Sequence, residues 1–320
     1  MNTALATKEN TTYYHGFQVT PHTENPRLQV VTIEKATLEN FIESTREWGV
    51  QALEYKPFLR YAVADKLDQA CDYELGKLLN DIMQDRERAA FLLQADESAQ
   101  AGFIDSDEQR DFFVILSTAI SHLIGLPNFD SMYGKYYARF TVKNEDNSDS
   151  YLRQAHRRME LHNDGTYVDE RTDFVLMMKM DEKNMEMGDS LLLHVDEWQD
   201  LAHFYNHPLA KQDIVWTTPP SKNINYQIEH PVFFEEDKNG KPHMLFIDQF
   251  ACPQRMQEGL YLHQMSESLE NDSNCFNVRV KTGAMLVVQN HCWLHGRDKF
   301  ISNPGLKREL LRQRGHFTNK

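Results

Sequence analysis

Ala284-Met285-Leu286-Val287-Val288-Gln289, running on into Asn290-His291-Cys292-Trp293-Leu294-His295-Gly296-Arg297-Asp298, is the stretch on which the reading of this chain turns. Its first half is an unbroken apolar run led in by Gly283. It is too short for a helix and is bounded by turn residues, as a buried strand is. Segments of the same character lie on both sides: Tyr133 to Lys143, Asp173 to Met180, Ser190 to Val195, Pro231 to Glu235, Met244 to Gln249, Phe276 to Lys281 and Glu309 to Thr318. All are short, rich in Val, Leu, Phe and Tyr, and separated by turn signals. Asn239-Gly240 is the strongest hairpin signal and joins the strands ending at Glu235 and beginning near Met244. One helix, Glu197 to Tyr205, is expected among them.

The first third reads differently. Leu38, Phe41, Ile42, Thr45 and Trp48 recur at helical spacing behind Thr37. Pro57 opens a long amphipathic stretch, Phe58 to Gln84. A further helix starts near Ser106, with Gln109 as its capping-box partner, and stops at Gly125 and Pro127. Helices followed by mostly antiparallel strands predict a mainly β protein with α: a sandwich or jelly-roll barrel carrying an N-terminal helical layer. No repeat or Pro/Ser-rich linker divides the chain. The expected organisation is one domain over residues 1–320, with a loose N-terminal arm (1–26), a helical portion (27–130) and a jelly-roll core (131–320). No G-x-G-x-x-G or Walker-type loop is present, which lowers the expectation of a nucleotide cofactor.

Composition narrows the function. The net charge is −14, from 48 acidic and 34 basic residues. That argues against nucleic-acid and anionic-membrane partners, which need a basic face. No apolar run reaches the roughly 18 residues that span a bilayer, and the start of the chain lacks an apolar signal core. The four cysteines, Cys71, Cys252, Cys275 and Cys292, are widely spaced. They suggest a reducing, cytoplasmic setting and no cysteine zinc site.

The 14 histidines leave room for a metal site. Two imidazoles and one carboxylate on one face of a metal make a non-haem iron centre with open positions. A His-x-Asp triplet at a strand end can supply two of the three, because residues i and i+2 share a side. The chain has two such triplets, His162-Asn163-Asp164 and His194-Val195-Asp196. The second ends a strand, and Asp196 is placed to cap the helix that follows. The first enters a Gly turn, where Asp164 could equally bond the nearby backbone. His295, before Gly296 and after a strand, is the natural third ligand; the plainer reading is a turn histidine covering the core. His291 is less suited, since Trp293 and Leu294 look like the packing that aims His295.

Residues 297 to 314 hold Arg297, Lys299, Lys307, Arg308, Arg312 and Arg314, six of the 34 basic residues where a uniform spread puts about two. Arg308, Arg312 and Arg314 share parity and face one side of a strand. Inward-facing guanidiniums are costly unless anions meet them, and their fork geometry suits carboxylates. A solvated outer face paired with acids is the alternative.

These elements together resemble the Fe(II)/2-oxoglutarate-dependent dioxygenases and, more narrowly, the carbon-starvation-induced family of glutarate 2-hydroxylases. The resemblance covers nearly the whole chain except the arm. It is carried by Tyr136-Tyr137-Ala138-Arg139-Phe140, the stretch Asp146 to Gln154, Glu160-Leu161-His162-Asn163-Asp164-Gly165-Thr166-Tyr167, Ser190-Leu191-Leu192-Leu193-His194 and Trp293-Leu294-His295-Gly296-Arg297-Asp298. It implies a double-stranded β-helix with His162, Asp164 and His295 as iron(II) ligands. It also implies Ser190 and Arg308 on the 2-oxoglutarate carboxylate, Arg312 on either acid, and Arg314 as a further candidate for glutarate. The division of labour among the arginines stays open. The implied reaction consumes O2 and 2-oxoglutarate, hydroxylates glutarate at C2 to the L product and releases succinate and CO2, as a step of lysine and glutarate breakdown in a homotetramer. The same chemistry on another short dicarboxylate, a zinc hydrolase using the same three ligands, and a non-enzymatic acid sensor are the competing readings.

Overall fold

The structure is a computed structural model and describes residues 10–96, 106–131, 133–143, 157–218 and 226–318. The stretch Asp146 to Gln154 lies outside the described residues. In chain order the elements begin with β1 (Thr12–Tyr14), β2 (Phe17–Pro21) and β3 (Leu28–Ile33), then α1 (Lys35–Thr45), α2 (Val50–Tyr55), α3 (Pro57–Gln69) and α4 (Leu75–Gln84). Next come β4 (Ala90–Ala95), α5 (Ser106–Ile124), β5 (Leu126–Pro127), β6 (Ala138–Lys143), β7 (Met159–His162), β8 (Phe174–Lys183), β9 (Ser190–His194) and α6 (Leu201–Tyr205). The remainder is β10 (Ile214–Thr217), β11 (Gln227–His230), β12 (Phe233–Glu236), β13 (Pro242–Met244), α7 (Met256–Glu270), β14 (Phe276–Val278), β15 (Met285–Gln289), β16 (Trp293–Arg297) and β17 (Lys307–His316). The protein is mainly β with α, built on mixed sheets.

A nine-stranded sheet has the order β1-β2-β3-β4-β15-β8-β17-β5, with β6 also pairing β17, on the edge opposite β8. A four-stranded sheet has the order β14-β9-β16-β7. The alternation of side chains decides what lies between them. In β8, Phe174, Leu176 and Met178 join the core under α1 to α5, while Val175 turns the other way. Val175 meets Leu192 of β9 and Trp293 of β16, so the two sheets close on one another across a shared apolar layer. Leu191, Leu193 and Leu294 leave by the outer face of the small sheet and pack with Trp198, Phe204 and Tyr261. Three cores therefore stack as helices, large sheet, small sheet and an outer cap.

The expectation for residues 1–26 is corrected. Within its described part, β1 and β2 form a hairpin on the large sheet, with Phe17 fully buried and Gly16 at φ +79° in the turn. One short alternation, Phe17 and Val19, was too little signal to stand out from a polar stretch. The helical portion 27–130 also contributes β3, β4 and β5 to that sheet. The helix expected over Phe58 to Gln84 is two helices, because Asp72 and Tyr73 both take positive φ between α3 and α4. Asn239-Gly240 does lie between β12 and β13, which pair antiparallel. The long helix α7 was not anticipated.

Candidate metal centre and its anion pocket

His162 ends β7 and His295 sits in β16, and the two are direct partners in the antiparallel pairing. Their apolar neighbours Leu161 and Leu294 go to the outer core, so both imidazoles turn into the space between the sheets. The rings stand 4.4 Å apart, centroid to centroid. Close approach of the strands depends on Gly296, where a Cβ would come within 2.6 Å of the Met159 carbonyl oxygen. Asp164 follows in a turn that Gly165 continues at φ +89°. One donor atom from each of His162, Asp164 and His295 lies within 4.8 Å of the others, and all three residues are buried.

Two asparagines hold this turn. Asn290 accepts from the Asp164 backbone N–H at 2.9 Å and donates to the Asp164 and Thr172 carbonyls, each at 2.9 Å. Asn163 accepts from the Phe246 N–H at 2.9 Å and donates to the Asn290 and Trp293 carbonyls. The residue between the two ligands is thus bonded to the chain entering the strand of the third. Neither asparagine was singled out from the sequence; Asn290, directly after a buried apolar run, was the available signal.

The donor set fits a divalent ion. His162 Nδ1 lies 2.8 Å from the Glu160 carbonyl, an interaction that needs the proton on Nδ1 and leaves the Nε2 lone pair free. Burial, with His162 and Arg312 nearby, pushes His295 down to about 3, so it is a neutral donor at neutral pH. His295 Nδ1 is buried without a hydrogen-bond partner, and Asp164 Oδ2 is buried with an ion pair to Arg312 but no hydrogen bond. Burial alone would raise the Asp164 carboxyl, but Arg312, His295 and Arg314 outweigh it and hold it well below the usual range.

β17 alternates as expected. Leu311 joins the core beneath the helices, and Gln313 donates to Ser117 of α5. Arg308, Arg312 and Arg314 therefore face the other way, toward the small sheet. Arg312 Nη1 is 3.1 Å from Asp164 Oδ2, and its Nη2 is 3.6 Å from Asp130 Oδ2. Arg314 Nη2 reaches the same Asp130 oxygen at 3.3 Å. Arg308 is buried with no hydrogen bond or ion pair among the described residues, and Nε is orphaned. Burial, then the charge of Arg297, lowers it to about 9. Lys179 of β8 is buried too, bonded to Glu182 at 2.5 Å, and lowered to about 8 by burial and by Arg308. Ser190 is the cross-strand neighbour of Arg297 and follows Asp189, and both charges act on Arg308. Arg297, Arg308 and Lys179 thus gather positive charge in a buried place, met in part by Glu182 and Asp189.

The other sequence candidates fall elsewhere. His194 and Asp196 are structural: Asp196 pairs with Arg86 at 2.7 Å and Lys241 at 2.8 Å, and His194 accepts from the Asp196 N–H. Asp196 does not cap α6, whose N-cap is Asp200. His291 sits 3.8 Å from Asp173, away from the triad. Lys179, within the strand expected over Asp173 to Met180, and Asp130 carry no signal in the sequence that marks them as site residues.

Comparison with solved structures places this fold among the non-haem iron oxygenases. An asparagine oxygenase in complex with Fe(II), 3-hydroxyasparagine and succinate is similar at TM-score 0.69 and 16% identity, over 89% of this chain and 93% of that one. The non-haem iron oxygenase OrfP in complex with Fe and alpha-ketoglutaric acid matches at TM-score 0.65 and 14% identity, over 89% and 93%. The chain belongs to the CsiD family, whose model matches residues 17–317. Glutarate 2-hydroxylase of Salmonella typhimurium (strain SL1344) is 48% identical over 99% of this chain and 97% of its own length. The enzyme of the same name from Citrobacter koseri is 49% identical over the same shares.

Proposed function

We propose that this protein is an Fe(II)/2-oxoglutarate-dependent dioxygenase that hydroxylates glutarate at C2, with a double-stranded β-helix jelly-roll as its core. The observation that carries the reading is the meeting of His162, Asp164 and His295, with Arg312 of β17 on Asp164 and Arg308 of the same strand buried without an ion pair among the described residues. Full-length identity near one half with glutarate 2-hydroxylases supports the substrate.

His162, Asp164 and His295 would hold the iron. When bound, iron(II) supplies the oxidation: one atom of O2 goes to succinate as 2-oxoglutarate loses CO2, and the other enters the substrate C–H bond. The protein supplies placement and charge. Arg308, with Ser190 nearby, takes the far carboxylate of 2-oxoglutarate, which answers a guanidinium otherwise buried without an anion. Arg312 stands at the metal ligands and can meet either acid at its metal-proximal end. Arg314 with Arg312 receives glutarate and turns C2 toward the metal. The product is 2-hydroxyglutarate, expected in the L form, within lysine and glutarate breakdown.

We further read the chain as a single domain over 1–320, cytoplasmic and homotetrameric. Four free cysteines, Cys71 and Cys292 among them pushed up to about 12 by burial, and the lack of any membrane-length apolar helix among the described residues support the setting. The subunit number rests on the family resemblance. The function is tested with 18O2: one labelled oxygen in 2-hydroxyglutarate and one in succinate is expected. Oxygen-independent turnover of the zinc-loaded protein, with no label, would replace this reading by the hydrolase.

A further inference from the structure

Asp130 lies between the two arginines assigned above to glutarate. It follows β5, in a segment tied to β17 by the Asn128 N–H bonded to the Arg314 carbonyl at 2.7 Å. One of its oxygens, Oδ2, faces Arg312 Nη2 at 3.6 Å and Arg314 Nη2 at 3.3 Å. Asp130 is buried, and its loop closes on itself through the bridge to Lys135. Arg312 is walled by the Phe140 ring, 5.0 Å from its guanidinium carbon, and Tyr133 packs edge-on against that ring. Arg312 has a second acidic neighbour, the metal ligand Asp164, at 3.1 Å.

We infer that Asp130 is a positioning and specificity-determining residue: it converges Arg312 and Arg314 on one point to receive the substrate carboxylate and holds Arg312 away from Asp164 once the metal is bound. The inference rests on the assignment of these arginines to glutarate.

Two opposed effects decide what the carboxylate does. As a bare negative charge, Asp130 weakens the binding of any dicarboxylate, and its removal would tighten it. As a convergence point, it overcomes the mutual repulsion of two guanidiniums and keeps both forks aimed. Without it Arg312 keeps Asp164 as its one acidic partner among the described residues, and a cation resting on a metal ligand competes with the metal. The convergent geometry and the short Arg312–Asp164 approach favour the second effect. The two readings therefore predict opposite signs for one substitution.

The test is Asp130→Asn, with Asp130→Glu and Arg314→Gln beside it, in the full-length protein. KM for glutarate is expected to rise about tenfold or more in Asp130→Asn. KM for 2-oxoglutarate and the turnover at saturating glutarate should change much less, and Asp130→Glu should recover part of the loss. Anaerobic titration with Co(II), followed by its visible absorption, should show metal affinity weakened severalfold in Asp130→Asn. An unchanged or lowered KM for glutarate in Asp130→Asn, while Arg314→Gln raises it, overturns the role of Asp130. If Arg314→Gln and Arg312→Gln also leave that KM unchanged, the assignment of the arginines to glutarate fails and the inference goes with it.

Discussion

His295 and His162 are register partners across β16 and β7, with their rings 4.4 Å apart, so the hydrogen bonding of two strands places two of the three candidate metal ligands. The prediction is that stability and metal binding respond together to the spacing of these strands. In Gly296→Ala the added Cβ meets the Met159 carbonyl oxygen at 2.6 Å, which is backbone and cannot swing aside. Thermal melting of the metal-free protein should show a loss of about 1–3 kcal/mol, and Co(II) titration a parallel loss of affinity. Normal affinity in a destabilised variant would separate the two.

Arg308 should be costly to the empty protein and necessary to the working one. Its guanidinium is buried without an ion-pair partner among the described residues. Arg308→Met is expected to stabilise the ligand-free fold by about 1–4 kcal/mol while raising KM for 2-oxoglutarate by about 100-fold. Melting curves with and without 2-oxoglutarate check both halves. A variant that melts lower and binds 2-oxoglutarate normally would place the co-substrate elsewhere.

Asn290 should matter to the metal although it touches none. Asn290→Ala removes the bonds that hold both the N–H and the carbonyl of Asp164. It leaves buried backbone groups unpaired, a loss of about 1–3 kcal/mol each. Metal affinity is expected to fall about 10- to 100-fold, as for other groups that orient a ligand. Titration of the purified variant beside Asp164→Ala, which should lose more than either figure, measures the difference.

The pH dependence of folding has a structural histidine as one source. Burial lowers His194 to about 3, against 6.5 for the ordinary side chain. Between those values the unfolded chain binds the proton and the folded chain does not, so stability rises with pH across this window. It is fully present above the ordinary value and is lost as the solution is acidified. At pH 5 this histidine should account for roughly 2 kcal/mol of the loss relative to neutral pH. Urea unfolding of the wild type and His194→Gln at both pH values reads it; identical slopes in the two proteins would contradict it.

The strand content and the three residues that the structure gathers into a candidate metal site were legible because each has a short-range signal. The apolar run Met285 to Gln289, led in by Gly283, reads as a buried strand, and His295 lies shortly after it in the next strand. The arginine parity in β17 was equally readable, since Leu311 and Gln313 take the opposite face. What escaped depends on pairing at long range. Phe17 and Val19 become a strand only because β3 lies beside them. The partners of Asn290 and Asp130 are separated from them by much of the chain, and nothing local marks an asparagine or aspartate that bonds across such a distance. Lys179 was hidden by its methionine neighbours, although a lone lysine in a buried strand is itself a signal that a negative charge lies close.

On the proposed function, three ligands and a row of arginines serve two dicarboxylic acids at once. This is tested most directly by succinate release from 2-oxoglutarate in the presence of Fe(II) and O2, with glutarate present or absent. Glutarate is expected to accelerate succinate formation, with one 2-hydroxyglutarate appearing for each succinate. No increase over the glutarate-free background, with glutarate or with any other diacid of four to six carbons, would contradict it.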